Sequence, residues 1–423
     1  MPTIYKTLFL MLLCFNLSAQ SSFRDKIYNF KDSIILNPYY SIEQALSVSG
    51  YNKESVIIDQ EEIGAQHLFD TRIKCIGNSF TYNAIKYISS KSKNTNVILI
   101  NEAHNKPNHR LLLNQLIIEL APNYQFYLPE SFIDYDCQIS QGMPKVCPKY
   151  TFTNEPNFAK CLRSALTLGY KILPYENYND SCFTFFESDS LIKIVYRCND
   201  VHDTFRLLLK KFNLDQYAQR EIIQAINIKR IINKFQNKKF IIHCGYAHVS
   251  RKEFNMAFYL KMLDIHFISI DQTYFNESIF PIKYLNEYQD HIDLNYPYLL
   301  LNRKDSTLSQ FTKSPPILAD IYVFHPPTKY LNNRPVWLKY NKSIIPCQIH
   351  QLFQDNNSVK NLYLIYIAKE FNALGYNSIP YDIIEQNKSS TKIMGYFEKH
   401  ILYYIFRRSL DNKINKIEFK VDF

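Results

Sequence analysis

Glycine is scarce in this chain, with eight residues in 423. The sites that depend on glycine are missing with it: no Gly-rich phosphate loop, no G-x-S-x-G nucleophile elbow and no kinase signature is present. The nine cysteines include no C-x-x-C pair, so a zinc ribbon has no support. There is no H-E-x-x-H helix motif either. No apolar run after the N-terminal one is long enough to span a membrane, so no transmembrane anchor is expected. Internal repeats and long low-complexity stretches are also lacking. Lys and Arg outnumber Asp and Glu by 49 to 39, giving +10, but the basic residues are scattered. Without a basic stripe and a recognisable module, a nucleic-acid partner is not expected.

What is present is globular: 46% hydrophobic and 21% charged residues, long enough for one large or two ordinary domains. Lys6, the apolar run Thr7–Phe15 and the small residues Ser18 and Ala19 read as a secretory signal peptide over residues 1–20. Leu13 before Cys14 is not the small residue of a lipobox. Removing that segment takes away one lysine and no acid, leaving +9 and eight cysteines. The expected location is exported: periplasmic, outer-envelope or secreted. Export permits disulfides, and Cys137 with Cys147, flanking a short polar loop, is the first pair expected.

The stretch Asn96–Glu119 organises the rest. Val97–Ile100 is a continuous apolar run with β-branched members, which reads as a strand buried on both faces. It ends in Asn101-Glu102-Ala103-His104. Pro107 suits a first helical turn, with Asn105 as candidate cap, and Leu112, Leu113, Leu116, Ile117 and Leu120 give the helix an apolar face. If the backbone is still extended, Glu102 and His104 point to one side.

Further strands are expected at 125–128, 170–173, 239–242 and 264–270, with helices over 157–168 and 217–236. Upstream, Ser41 starts a capped helix, 55–59 is a short strand and 80–90 a helix. Downstream, 134–155 reads as a loop, 362–374 as a helix and 416–423, which alternates strictly, as a strand. The fold expected is α/β: a mainly parallel central sheet flanked by helices over residues 21–275, with a smaller C-terminal α+β elaboration or second domain over 276–423. In such sheets ligands bind in the crevice at the carboxyl ends of the strands. Those ends carry Glu102 and His104, Glu130, Glu176, His243 and His248, and Asp271.

These residue types point to acid–base chemistry. Glu102 beside His104 can orient the imidazole and raise its basicity. With Glu130 and His248 they form the candidate catalytic set. Arg110 and Arg163 suit an oxyanion or carboxylate, and Glu155, Glu176 and His243 are further candidates for substrate contact. Glu155 also suits a helix cap. A cysteine nucleophile is unconvincing, because Cys244 and His243 are adjacent on a strand and point apart. The mixed set Glu102, His104, Glu130 and His248 suits zinc, manganese or cobalt, although its spacing does not demand a divalent metal.

The series NEAH-x4-HR at a strand–helix turn, PES, NEP, REIIQAIN and HCGYAH resembles the erythromycin esterase–ChaN–Tiki superfamily over residues 78–275. The esterases place one more residue between Glu and His. The His104-x4-His109 spacing is nearer the haem-binding ChaN type. The resemblance implies a shared fold and a pocket lined by Glu102, His104, Glu130 and His248. It leaves open ester hydrolysis, metal-dependent peptide cleavage or haem binding. Two readings follow. One is a hydrolase of ester or amide bonds acting on a small molecule or peptide. The other is a non-catalytic haem- or metal-binding envelope protein with His104, His109 or Tyr246 as axial ligand.

Overall fold

The structure is a computed structural model that describes residues 79–132, 135–147, 151–176, 216–275, 296–308, 317–326, 328–331, 334–339, 344–353, 361–386, 393–409 and 414–420. The signal peptide and the elements expected before residue 79 lie outside them.

The first described elements are β1 (Ser79–Asn83), α1 (Ala84–Ser92), β2 (Val97–Glu102), α2 (Pro107–Leu120) and β3 (Phe126–Pro129). They are followed by α3 (Pro156–Thr167), β4 (Lys171–Ile172), α4 (Gln216–Lys234), β5 (Phe240–Gly245), α5 (Met256–Met262), β6 (Ile268–Asp271), β7 (Tyr298–Asn302) and β8 (Ile321–Tyr322). Six of the strands form one sheet in the order β8-β6-β2-β5-β3-β4, and every pairing in it is parallel. Each residue of β2 and β5 is buried. Ile98, Ile100 and Ile241 pack with α1, α2 and α3 on one face. Val97, Leu99, Phe240, Ile242 and Cys244 pack with α4 and α5 on the other. Two covered faces explain why these strands read as unbroken apolar runs rather than alternating ones.

The connection from β2 leads to β3 on one side, and that from β5 leads to β6 on the other. β2 and β5 lie side by side between them, with Glu102 in register with Gly245. Their carboxyl ends lie where sheets of this kind place ligands.

Three expectations are corrected. The helix expected over 80–90 begins as strand β1, because Phe80, Thr81 and Tyr82 pair antiparallel with β7; Asn83 then caps α1 through Lys86 N, 3.0 Å. Asn105 does not cap α2: Lys106 stands at the cap position, and no side chain bonds the helix end there. The helix expected over 362–374 is half strand, because its run of aromatic and β-branched residues is buried in a sheet. The C-terminal elements are β9 (Ile344–Gln348), β10 (Asn361–Ile367), α6 (Ala368–Leu374), β11 (Asp382–Gln386), β12 (Met394–Glu398), β13 (Leu402–Ser409) and β14 (Ile414–Lys420). β11-β10-β13-β14 form an antiparallel sheet, and β9 pairs with β12. The parallel sheet itself takes β8 from beyond residue 275, the boundary read from sequence.

Candidate functional site

Glu102 is the last residue of β2, fully buried, and one guanidinium and two imidazoles converge on it. Arg110, one turn into α2, donates to it through Nε, 2.8 Å, and Nη2, 2.7 Å. His104 Nδ1 lies 2.8 Å from its Oε1, and His243 Nε2 lies 2.9 Å from its Oε2. Burial alone would raise the Glu102 carboxyl. The charge of Arg110, with His243, outweighs it and holds the group well below the usual carboxylate range. Arg110 also donates to the His104 carbonyl, 3.0 Å, and through Nη1 to Glu155, 3.0 Å. Glu155 caps α3 by accepting from Phe158 N, 2.8 Å. His104 stacks on Phe152 at 4.0 Å between ring centres.

A second group forms at the ends of β3 and β5. Glu130 accepts from Arg220 Nη2, 2.7 Å, and from the backbone N–H of Gly245. His248 stands between carboxylates: Nε2 lies 3.3 Å from Glu130 Oε1 and Nδ1 lies 2.6 Å from Glu221 Oε1. Burial would lower the imidazole, but Glu130 and then Glu221 push it up to about 10, so at neutral pH it is imidazolium. The 3.1 Å approach of Arg220 Nη1 to His248 Nε2 is therefore a contact between cations, balanced by the carboxylates around it. Glu130 is held low: the imidazolium and Arg220 outweigh its burial. Glu176 accepts from Ser131 N, 2.6 Å, and from Arg220 and Gln224.

Gly245 is where the groups meet. A Cβ placed there would stand 2.7 Å from His104 Nε2 and 2.9 Å from Glu130 Oε2. Only glycine lets the two come together over the strand end. The following residue, Tyr246, sits at φ 26°, a backbone conformation that side chains disfavour, and Asn101 Nδ2 holds its carbonyl at 2.7 Å. The residue is 43% exposed, with its ring edge-on to His104 at 5.4 Å.

The structure thus gathers Glu102, His104, Arg110, Glu130, Glu155, Glu176, His243 and His248, but in different positions relative to solvent. The His104 side chain is 13% exposed, whereas Glu102, Arg110 and His243 are covered. Arg110, Glu155, Glu176 and His243 are all buried, each bonded to or in contact with another charged group of the site. Arg163 is not at the site. It binds Glu370 of α6 through two bonds of 2.8 Å, and donates to the Ile379 carbonyl. His109, read as a candidate axial ligand, lies in the interior. It is fully buried against His325, Nδ1 accepts from Ala103 N at 3.0 Å, and burial keeps its ring neutral. Asp271 belongs to a closed network with Asn101 and Thr273.

The zinc, manganese or cobalt reading of Glu102, His104, Glu130 and His248 does not fit. The oxygens of Glu102 and Glu130 face Arg110, Arg220 and the His248 imidazolium, the chain's own cations. No three acidic, His or Cys side chains are arranged to hold a metal among the described residues. Arg220 and Glu221 also belong to the site, although neither stands out in the sequence. Their signal is the adjacent Arg-Glu at the start of α4, which has no meaning until α4 is known to cross the strand ends.

No family model matches the chain, and no curated protein matches it. Among solved structures, one described as cofacial heme binding to ChaN of Campylobacter jejuni overlays at 11% identity and a TM-score of 0.26. The overlay covers 45% of this chain and 86% of that one. This is a faint likeness of fold from which no argument about function is drawn.

Proposed function

We propose that the chain is a hydrolase of ester or amide bonds, with His104 as general base. One observation carries the reading: a part-exposed imidazole has one nitrogen tied to a buried carboxylate that Arg110 fixes from behind. With Nδ1–H donated to Glu102, Nε2 is the acceptor. Nε2 takes a proton from water as the water oxygen bonds to the carbonyl carbon. The charge that develops on the carbonyl oxygen is drawn to Arg220, about one-third exposed, and the His248 imidazolium. When the intermediate collapses, the C–O or C–N bond breaks and His104 returns the proton to the leaving group. Glu130 orients Arg220 and His248. The substrate is a small molecule or peptide. An exported setting suits the Cys137–Cys147 disulfide, which the structure forms.

The test is turnover of a panel of nitrophenyl esters and aminoacyl nitroanilides. His104→Ala should lose roughly 10²–10⁴-fold in kcat. Glu130→Gln should lose about tenfold or more, with the fold kept. Full turnover in both variants ends the proposal.

Haem binding without turnover is the second reading, favoured by the exposed Tyr246 phenol beside His104. Tyr246 would hold ferric iron as an oxygen ligand, with His104 alongside; bound haem would supply redox chemistry. Haemin titration should give a Soret shift that Tyr246→Phe removes. Its persistence in that variant would rule out the ligand.

A further inference from the structure

We propose that the Cys137–Cys147 disulfide positions the His104 ring, acting through Asn154. The inference rests on the acid–base reading of His104, but its geometry is independent of any substrate. The disulfide closes a loop of ten residues' separation. Asn154 grips Cys147 by both backbone groups: Oδ1 accepts from Cys147 N, 2.9 Å, and Nδ2 donates to Cys147 O, 3.0 Å. Thr151–Asn154 is a single helical turn, and two of the site's supports flank Asn154. Phe152 lies face-on to His104, with 17° between the planes, and the Arg110 guanidinium stands over the Phe152 ring at 5.8 Å. Glu155 holds Arg110, which holds Glu102. The turn that Asn154 ties to the disulfide is therefore the wall against which the His104–Glu102 pair is set.

The C-terminal part anchors the same loop. Val146 N donates to the Asn377 carbonyl, 2.8 Å, and Lys145 bridges to Ser378. This gives the part of the chain beyond the α/β sheet a role at the site through the disulfide loop. Asn154 and the two cysteines are positioning residues, not catalytic ones. Their contribution is to fix ring orientation, and a misplacement of about 1 Å is worth roughly 10²-fold in rate. The link is also reducible. A dithiol reductant attacks one cysteine sulfur, the S–S bond breaks, and two electrons and two protons pass to the cysteines as the reductant closes to its own cyclic disulfide.

The experiment compares the full oxidised chain, Asn154→Ala, and the double variant Cys137→Ala with Cys147→Ala. The first readout is carbethoxylation of His104 by diethyl pyrocarbonate, followed by peptide mass spectrometry, with the exposed His266 and His400 as internal references. Release of Phe152 should speed His104 modification by about fivefold relative to the references, with far-UV circular dichroism unchanged. The second readout is hydrolysis, where kcat should fall about tenfold or more with KM little changed, a split that general destabilisation does not produce. An unchanged His104 modification ratio in Asn154→Ala overturns the proposal, whether or not the cysteine variant folds. A raised ratio in a protein with no hydrolytic activity upholds it and sinks the hydrolase reading instead.

Discussion

Arg110 exposes nothing to solvent, yet it bonds two carboxylates and a carbonyl. Its function is electrostatic: without it Glu102 and Glu155 would be buried charges with no fixed cation between them. Arg110→Met should therefore cost about 3–5 kcal/mol, read as a lowered urea midpoint at unchanged m-value. A loss under about 1 kcal/mol would show that the carboxylates find other partners. His248 carries the pH dependence. Its folded value, about 10, stands above the ordinary 6.5. A raised value stabilises the fold fully below about pH 6.5. That contribution declines as pH rises and is gone above about 10. Glu102 and Glu130 act oppositely: held low, they stabilise above the ordinary carboxylate range and lose that contribution as pH falls through their folded values. Thermal melts from pH 6 to 10 should fall steadily, and His248→Gln should flatten the slope. An equal slope in the variant would assign the titration to another group.

At the level of elements, β2, β3, β5 and β6 were legible because burial on both faces writes an unmistakable apolar run, and the polar residues that end such runs mark the crevice. The same rule misleads where a run continues into a helix. Asn361–Ile367 is such a case: its apolar residues satisfy a helical spacing by being apolar everywhere. Glu102, His104, Glu130 and His248 were legible as strand-end residues. The burial of Arg110, the pairing of Arg163 with α6 and the part of Arg220 were not, since each depends on which helices pack together. Arg163 ties α3 to α6, with its side chain and that of Glu370 only 11% and 7% exposed. Arg163→Ala strands a buried carboxylate and should cost about 3 kcal/mol locally. Hydrogen exchange should speed up in β10 and α6 while β2 and β5 stay protected. Uniform acceleration across both would mean that the parts unfold together.

For the whole molecule, the parallel sheet supplies carboxylates from separate strands, α2 and α4 supply the arginines, and the turn Thr151–Asn154 supplies the ring stacked on His104. These meet over one residue without a side chain. The proposed chemistry needs that meeting, and Gly245→Ala tests it most directly. The added methyl would fall 2.7 Å from His104 Nε2 and 2.9 Å from Glu130 Oε2, so one of them must move. Measured beside its own thermal melt, the variant should keep a folded transition and lose roughly 10²-fold or more of ester or amide turnover. Turnover equal to that of the unaltered chain would contradict the convergence of His104 and Glu130 at this strand end, and the proposed chemistry with it.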